Sequence, residues 1–290
     1  MSDNRILTIV VYVLVLVFTL GQSAMATGVA GRFRLGGFLG TGLSKQEDLN
    51  DTIDDVKQLY RELGTAEDID VDFGDDELGG GFLYGAYAEY LVNDRFVVGA
   101  EVMPLSSTGG YEMSYELSDW GYDYCVNMDM EYQTTALLTS VYGIYRVPLE
   151  KSPLALRMGI GIGRMSGAKF EANHKGIIEE NIEGTIERWD ASLEASGSDF
   201  TYQGIFGAEY QVADYVFICA NVAYRSASVA ELEVDDVDRS NVNAWENIEE
   251  GETLRWHKEP TYADFSTEDG HEVGLDYGGL YLTVSMGIEF

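Results

Sequence analysis

Apolar and polar residues alternate with a period of two along much of the chain. The alternation is clearest at 279–290, where every second residue is large and apolar: Leu280, Leu282, Val284, Met286, Ile288 and Phe290. Side chains along a strand point to opposite faces in turn, so this segment predicts a strand with one wholly apolar face. A soluble β-sandwich gives the same pattern, so the alternation alone does not identify the surroundings of the strand.

Eight segments of the sequence carry this alternation. They lie at 29–41, 81–92, 95–106, 132–147, 153–168, 200–212, 215–230 and 274–290. Strands of roughly ten residues with an outward apolar face fit a bilayer-spanning barrel better than a soluble core. The predicted fold is therefore all-β: an eight-stranded antiparallel up-and-down transmembrane β-barrel.

The connections between these segments alternate strictly between short and long. The short ones lie near Asn93-Asp94, 148–152 and Ala213-Asp214, and the long ones span 43–80, 107–131, 169–199 and 231–272. Short periplasmic turns and long extracellular loops are typical of outer-membrane barrels, so both termini are expected in the periplasm. Aromatic residues that suit an interfacial girdle flank the short turns: Tyr90, Phe96, Tyr145, Tyr210, Tyr215 and Phe290.

The first long loop carries the pattern of a short helix. Ser44-Lys45-Gln46-Glu47 matches a capping box, and Gly64 provides a C-terminal stop. Apolar residues between them recur at helical spacing: Leu49, Ile53, Val56, Tyr60 and Leu63. The stripe has two interpretations, a lid over the barrel mouth or a loop packed onto the rim, and we favour the second.

The N-terminus carries the pattern of a secretory signal peptide. A short polar segment precedes a 15-residue uncharged run, Ile6–Leu20, and small residues follow up to Ala26. The alternative is an uncleaved anchor, but a spanning helix needs roughly 20 apolar residues. We therefore predict a signal peptide over 1–26, cleaved after Ala26, and a barrel domain over 27–290.

With its glycine-rich stretch Arg157–Gly163 and its terminal Ile288-Glu289-Phe290, the chain resembles the small outer-membrane barrel superfamily of OmpA, OmpX and OmpW type. The resemblance implies a porin-like protein in the outer membrane of a Gram-negative bacterium. It also implies an assembly signal in the last strand, recognised by the barrel-assembly machinery: Tyr281, Met286, Ile288 and Phe290. OmpA-like proteins continue into a peptidoglycan-binding domain after the barrel. This chain stops at the eighth strand, so cell-wall anchoring is not expected.

The acidic charge is concentrated in the long loops. The chain has 50 acidic and 18 basic residues, a net charge of −32, and the four long loops hold 41 of the acidic and 9 of the basic residues. The rest of the chain is neutral by this count. Acidic loops repel a phosphate backbone and argue against a nucleic-acid partner.

Three interpretations of the acidic excess remain open. The first is a solvated surface, which needs no ligand, and the second is a cationic surface partner. The third is a divalent cation, Ca²⁺ or Mg²⁺, on clustered carboxylates. The densest cluster is Asp68, Asp70, Asp72, Asp75 and Asp76, which matches an EF-hand loop only loosely. No other cofactor is predicted.

Charged residues also occur at inward positions of the predicted strands. They are Arg34, Glu89, Glu101, Arg146, Arg157 and Glu209. Buried charges persist when they are paired, so three arginines and three glutamates predict an internal ion-pair network. Tyr87, Tyr142 and Gln203 are candidates to complete its hydrogen bonding. We favour a structural plug over a narrow pore, because eight strands leave room mainly for side chains.

No catalytic set is recognised in the sequence. The three histidines, His174, His257 and His271, fall in predicted loops, and the two cysteines, Cys125 and Cys219, are not placed to form a bridge. The favoured function is therefore a non-enzymatic, monomeric outer-membrane barrel with a structural and surface-interaction role, in contact with outer-membrane lipids and lipopolysaccharide. Less favoured are an OmpW-type channel for ions or hydrophobic solutes and, more remotely, a lipid A-modifying enzyme.

Overall fold

The computed structural model describes residues 31–43, 46–67, 71–73, 81–119, 122–180, 186–240, 248–259, 262–266 and 270–290. The predicted signal peptide and its cleavage site lie outside the described residues. Within the described part of the chain, no helix is both long and apolar enough to cross a membrane.

Eight antiparallel strands close into a barrel. Their bounds are β1 Arg32–Gly42, β2 Phe82–Leu91, β3 Phe96–Asp119, β4 Tyr122–Pro148, β5 Leu154–Glu180, β6 Ile186–Ala213, β7 Val216–Ser226 and β8 Gly279–Glu289. Each strand pairs with its neighbours in sequence, and β8 pairs with β1 to close the ring. The predicted fold class is confirmed, as is the helix of the first loop, α1, which spans Glu47–Glu67. The helix continues past Gly64, so the predicted C-terminal stop at that residue is wrong.

The prediction of long loops at 107–131 and 169–199 is wrong, because the described residues of both segments form strands. The pairing of β3 with β4 runs unbroken from Phe96↔Tyr145 to Asp119↔Tyr122. The pairing of β5 with β6 likewise extends to Glu179↔Ile186. The four strands are therefore 24 to 28 residues long, far more than the 9–11 residues that a tilted strand needs to span a bilayer. They continue as two ordered hairpins on the extracellular side.

A β-bulge in β5 marks the point where these hairpins leave the barrel. The register shifts between Met165 and Ala168, and Gly167 adopts a φ of 58°. The extra residue moves the inward phase from odd positions, such as Met165, to even positions, such as Phe170. A bulge bends and twists its strand, which suits this transition.

The extracellular half has an apolar core of its own. Phe170 stacks on Tyr132 with ring centroids 5.7 Å apart, and Phe265 lies 5.5 Å from Phe170. Trp256 lies against Phe265, in a small three-stranded sheet formed by Arg255–Glu259, Tyr262–Ser266 and His271–Glu272.

Short strands and α1 complete this half. Val71–Phe73 pairs with β3, Glu233–Ser240 pairs with β6, and Ser228–Val229 pairs with Leu275–Asp276. The buried face of α1 joins the same core through Leu49, Ile53 and Val56. The helix is held at its start by Gln46, whose Oε1 accepts a hydrogen bond from the Asp276 amide at 2.9 Å.

Candidate functional site

A cluster of six charged side chains fills the barrel near its periplasmic end. We call it the lower cluster: Arg34, Glu89, Arg146, Arg157, Glu209 and Glu289. Each lies at an inward strand position, and strand pairing sets Arg34 opposite both Glu89 and Glu289. Three guanidinium groups face three carboxylates, so the cluster is neutral by formal charge.

Glu209 is the centre of the lower cluster. Its carboxylate accepts hydrogen bonds from Arg34 Nη1 at 2.7 Å, Arg34 Nη2 at 3.0 Å and Arg146 Nε at 2.9 Å. Only 1% of its side chain is exposed. This bidentate pairing with Arg34 is the strong geometry for a guanidinium and a carboxylate.

The remaining pairs extend the lower cluster across the barrel. Arg157 is hydrogen-bonded to Glu89, which also accepts a hydrogen bond from the Tyr142 hydroxyl at 3.2 Å. Glu289 accepts a hydrogen bond from Arg34 Nε at 2.8 Å. The guanidinium carbon of Arg34 also lies 4.2 Å from the centre of the Phe217 ring. The lower cluster therefore ties six strands together: β1, β2, β4, β5, β6 and β8.

A second, smaller network lies further towards the extracellular side. We call it the upper cluster: Glu101, Ser140, Gln203 and Arg225. Arg225 Nη2 lies 2.8 Å from Glu101 Oε1, and Arg225 Nε donates to Gln203 Oε1 at 2.8 Å. Gln203 Nε2 in turn donates to Glu101 and to Ser140 Oγ, both at 3.0 Å. One acid and one base give this cluster no net charge either.

A small polar cavity separates the two clusters. Its volume is about 40 Å³, and Glu89, Arg157, Glu101 and Arg225 all line it. Since one water needs about 10–15 Å³ by this measure, the space suits two or three water molecules. That is too little for a continuous aqueous pathway.

The six charges predicted from the sequence do not form a single network. Five lie in the lower cluster, and Glu101 lies in the upper one. Gln203 and Tyr142 take part in the hydrogen bonding, whereas the Tyr87 hydroxyl has no hydrogen-bond partner among the described residues. Three members were not predicted from the sequence: Ser140, Arg225 and Glu289. The signal for the two charged ones was available, because Arg225 and Glu289 occupy the inward phase of the last two strands, β7 and β8.

The predicted carboxylate cluster falls almost entirely outside the described residues. Asp68, Asp70, Asp75 and Asp76 are outside them, and Asp72 is described only as part of the backbone of Val71–Phe73. The cation site therefore stays a prediction.

The residues of the proposed assembly signal divide between the two faces of β8. Tyr281 points inward and is buried, whereas Met286, Ile288 and the terminal Phe290 are exposed on the outer face. The two cysteines lie in β4 and β7 and are free; Cys219 is buried, with its Sγ 2.7 Å from Arg157 Nη1.

Two aromatic girdles border the apolar outer surface. The predicted lower girdle is exposed at Phe96, Tyr145, Tyr210, Tyr215 and Phe290, while Tyr90 is half-buried against Phe33. A second, upper girdle was not predicted: Phe82, Tyr84, Phe200, Tyr202 and Tyr224. Its members lie at outward positions of their strands; on β2 and β6 they are six to ten residues from the lower girdle. Girdles at both interfaces are characteristic of transmembrane barrels.

Residues 12–245 match the family model described as "Outer membrane protein beta-barrel domain". The protein belongs to this family. It is therefore an outer-membrane β-barrel protein, in agreement with the resemblance found from the sequence. No curated protein matched the chain.

Several solved structures are similar in fold. The outer membrane protein OprG from Pseudomonas aeruginosa is 11% identical, with a TM-score of 0.36, over 90% of this chain and 96% of that one. Neisserial surface protein A is 9% identical, with a TM-score of 0.31, over 89% and 95%. The attachment invasion locus protein Ail of Yersinia pestis is 10% identical, with a TM-score of 0.28, over 89% and 98%.

Proposed function

We propose that this protein is a closed, non-enzymatic outer-membrane barrel that presents two rigid, acidic hairpins for surface interaction. The observation that carries the proposal is the layered filling of the barrel interior. The lower cluster occupies the periplasmic end, and the upper cluster lies above the small cavity. The side chains of both clusters are held by salt bridges and hydrogen bonds. This fixed filling of the interior supports a plug rather than an open pore.

An apolar layer continues the filling towards the outside. Met103 lies directly above the upper cluster, with its Sδ 3.1 Å from Arg225 Nη1. The guanidinium carbon of Arg225 lies 4.7 Å from the centre of the Tyr281 ring. Buried side chains then lead without a break to the extracellular core and to α1. Ions avoid such a layer because removing their hydration is costly.

The outer surface of the extracellular hairpins supports the surface-interaction part of the proposal. Their outward positions are rich in carboxylates: Glu112, Glu116, Asp129, Glu131, Glu171 and Glu194. Long paired strands hold these groups in fixed positions, so a cationic partner would lose little entropy from ordering the protein. The chemistry fits a basic peptide or a basic protein surface.

Planar-bilayer recording of the refolded protein tests the closed barrel. We expect no steady single-channel steps from the unmodified protein. The Arg225→Ala and Glu101→Ala variants each break the upper cluster, and the exposed Arg188→Gln variant is a matched charge control. Steady steps from the unmodified protein that disappear in Glu101→Ala would establish a pore and exclude the plug.

Lipid A analysis tests the absence of an enzymatic activity. An enzyme acting on lipid A would change the lipid A mass spectrum of expressing cells, and we expect an unchanged spectrum. A new lipid A species that appears only on expression would establish an enzyme.

Peptide binding tests the acidic hairpins. A basic 20-residue peptide should bind the refolded protein, and binding should weaken with salt because exposed charges are screened. A triple variant, Glu112→Gln, Glu131→Gln and Glu171→Gln, should bind this peptide less. Equal binding by parent and variant would remove the cationic-partner proposal.

A further inference from the structure

The lipid-facing wall of the barrel contains a concave apolar groove across β1 to β5. Its volume is about 300 Å³. Small side chains form its floor, and larger apolar ones line its walls: Ala86, Ala88, Ala100, Val102, Val141 and Ile162. Since the groove opens to the hydrocarbon region, an acyl chain is the natural occupant of a space that water does not favour.

Arg164 lies at the extracellular end of the groove and lines it. It follows Leu156, Met158, Ile160 and Ile162 on the outward phase of β5, and it ends that apolar series. From Leu154 to Arg164, ten residues of tilted strand rise about 25 Å, which is the height of the apolar band of such barrels. The guanidinium therefore lies at the level of the outer headgroups.

The charge of Arg164 is available to a ligand. It forms no ion pair with any described residue; its Nη2 donates to Ser198 Oγ at 3.1 Å. The next outward cation on the same strand is different, because Lys169 Nζ lies 2.8 Å from Glu171 and 2.6 Å from Glu194. A guanidinium with free donors matches the oxygens of a phosphate in a bidentate geometry.

We propose that Arg164 and the groove below it form a binding site for a phosphate-bearing lipid of the outer leaflet. The phosphate pairs with the guanidinium, and one acyl chain lies against Ala86, Ala100 and Val141. The charge complementarity is local: although the chain carries a net charge of −32, Arg164 forms no ion pair with a described residue, whereas Lys169 is already paired with Glu171 and Glu194. An anionic headgroup is therefore attracted to Arg164 rather than to Lys169.

Native mass spectrometry of the refolded full barrel tests this site with two probes, bis-phosphorylated lipid A and the same lipid A without phosphates. Arg164→Gln should lower retention of the phosphorylated probe at least about fivefold, because a charge-assisted contact is lost. It should leave the dephosphorylated probe unchanged. Ala100→Leu fills the groove and should lower retention of both probes.

Two matched variants serve as controls. Arg188→Gln removes an exposed arginine from the extracellular part of β6, and Ala220→Leu enlarges an exposed outward alanine on β7, across the barrel. Both should retain the phosphorylated probe as the parent does. The proposal is overturned if Arg164→Gln retains the phosphorylated probe like the parent, or if Arg188→Gln loses it equally. An equal loss in Ala100→Leu and Ala220→Leu would overturn the acyl-chain part.

Discussion

The membrane half and the extracellular half of this barrel are built on the same strands with opposite polarity. On β5, Arg157 points into the barrel and Ile160 faces lipid, while further along the strand Phe170 points inward and Glu171 faces water. The difference lies in the medium outside. Lipid requires an apolar exterior, whereas water allows the apolar side chains to collect inside.

The two halves are consequently stabilised in different ways. The membrane half is filled by ion pairs and hydrogen bonds, which are strong only while each charge keeps its partners. The extracellular half is filled by aromatic and aliphatic packing, which depends on volume. Substitutions can test this contrast by removing a charge from one half and volume from the other.

Removal of the central carboxylate should give the largest effect. In Glu209→Ala, Arg34 and Arg146 lose the partner that accepts their hydrogen bonds. We expect a loss of about 3–5 kcal/mol in the free energy of unfolding, as for other broken buried pairs. Urea titration in micelles, followed by heat-modifiable gel mobility, measures it.

The control for Glu209→Ala is an exterior ion pair in the extracellular half. Glu171 pairs with Lys169, and both side chains are 34% exposed. Glu171→Ala should cost less than about 1 kcal/mol, because partly exposed pairs contribute little. Equal losses from the two variants would refute the idea that buried pairs hold the membrane half.

Loss of packing in the extracellular core should come next. Phe170 is fully buried, with 0% of its surface exposed, and it contacts Tyr132 and Phe265. Phe170→Ala should cost about 3 kcal/mol, because the cavity left behind closes only partly. The loss should be local: trypsin should cut the hairpins faster while the heat-modifiable mobility of the barrel is retained. Loss of that mobility at the same urea concentration would show that the two halves unfold as one unit.

A single substitution placed on the outer face of each half tests the polarity reversal directly. Ile160 is 77% exposed, and it faces lipid near the middle of the apolar band. Ile160→Arg should cost about 2–3 kcal/mol, since a charge on the lipid face is expensive there. Asn173→Arg, on the outer face of the extracellular part of β5, should change stability by less than about 0.5 kcal/mol. Comparable costs in urea titration would contradict the assignment of the two surroundings.

The sequence predicts the membrane half well because lipid imposes one rule on every strand. Outward residues must be apolar, so period-two alternation locates all eight strands and six of the inward charges. The partners of those charges are harder to predict, since register decides them. Glu289 pairs with Arg34 only because β8 closes onto β1. No local sequence pattern predicts that pairing.

The extracellular parts of β3 to β6 were not predicted as strands, for two physical reasons. The outer face there is polar, so a search for outward apolar residues ends at the membrane boundary. The bulge at Gly167 also changes the phase, and Phe170 consequently falls on the face that odd positions occupy below it. A search for apolar alternation in either phase would have recovered Phe170, Ala172 and the strand around them.

That bulge is the site of the smallest loss of stability that we predict, apart from the control substitutions. Gly167 has a φ of 58° and no atom near the position of a Cβ, so an added methyl group meets backbone strain alone. Gly167→Ala should cost about 1–2 kcal/mol, the penalty of a left-handed conformation for a residue with a side chain. Gly143 is the matched control, because its Cβ position is equally open and its φ is not in the left-handed region. If Gly143→Ala costs as much as Gly167→Ala in the same titration, backbone conformation at the bulge does not hold the junction between the halves.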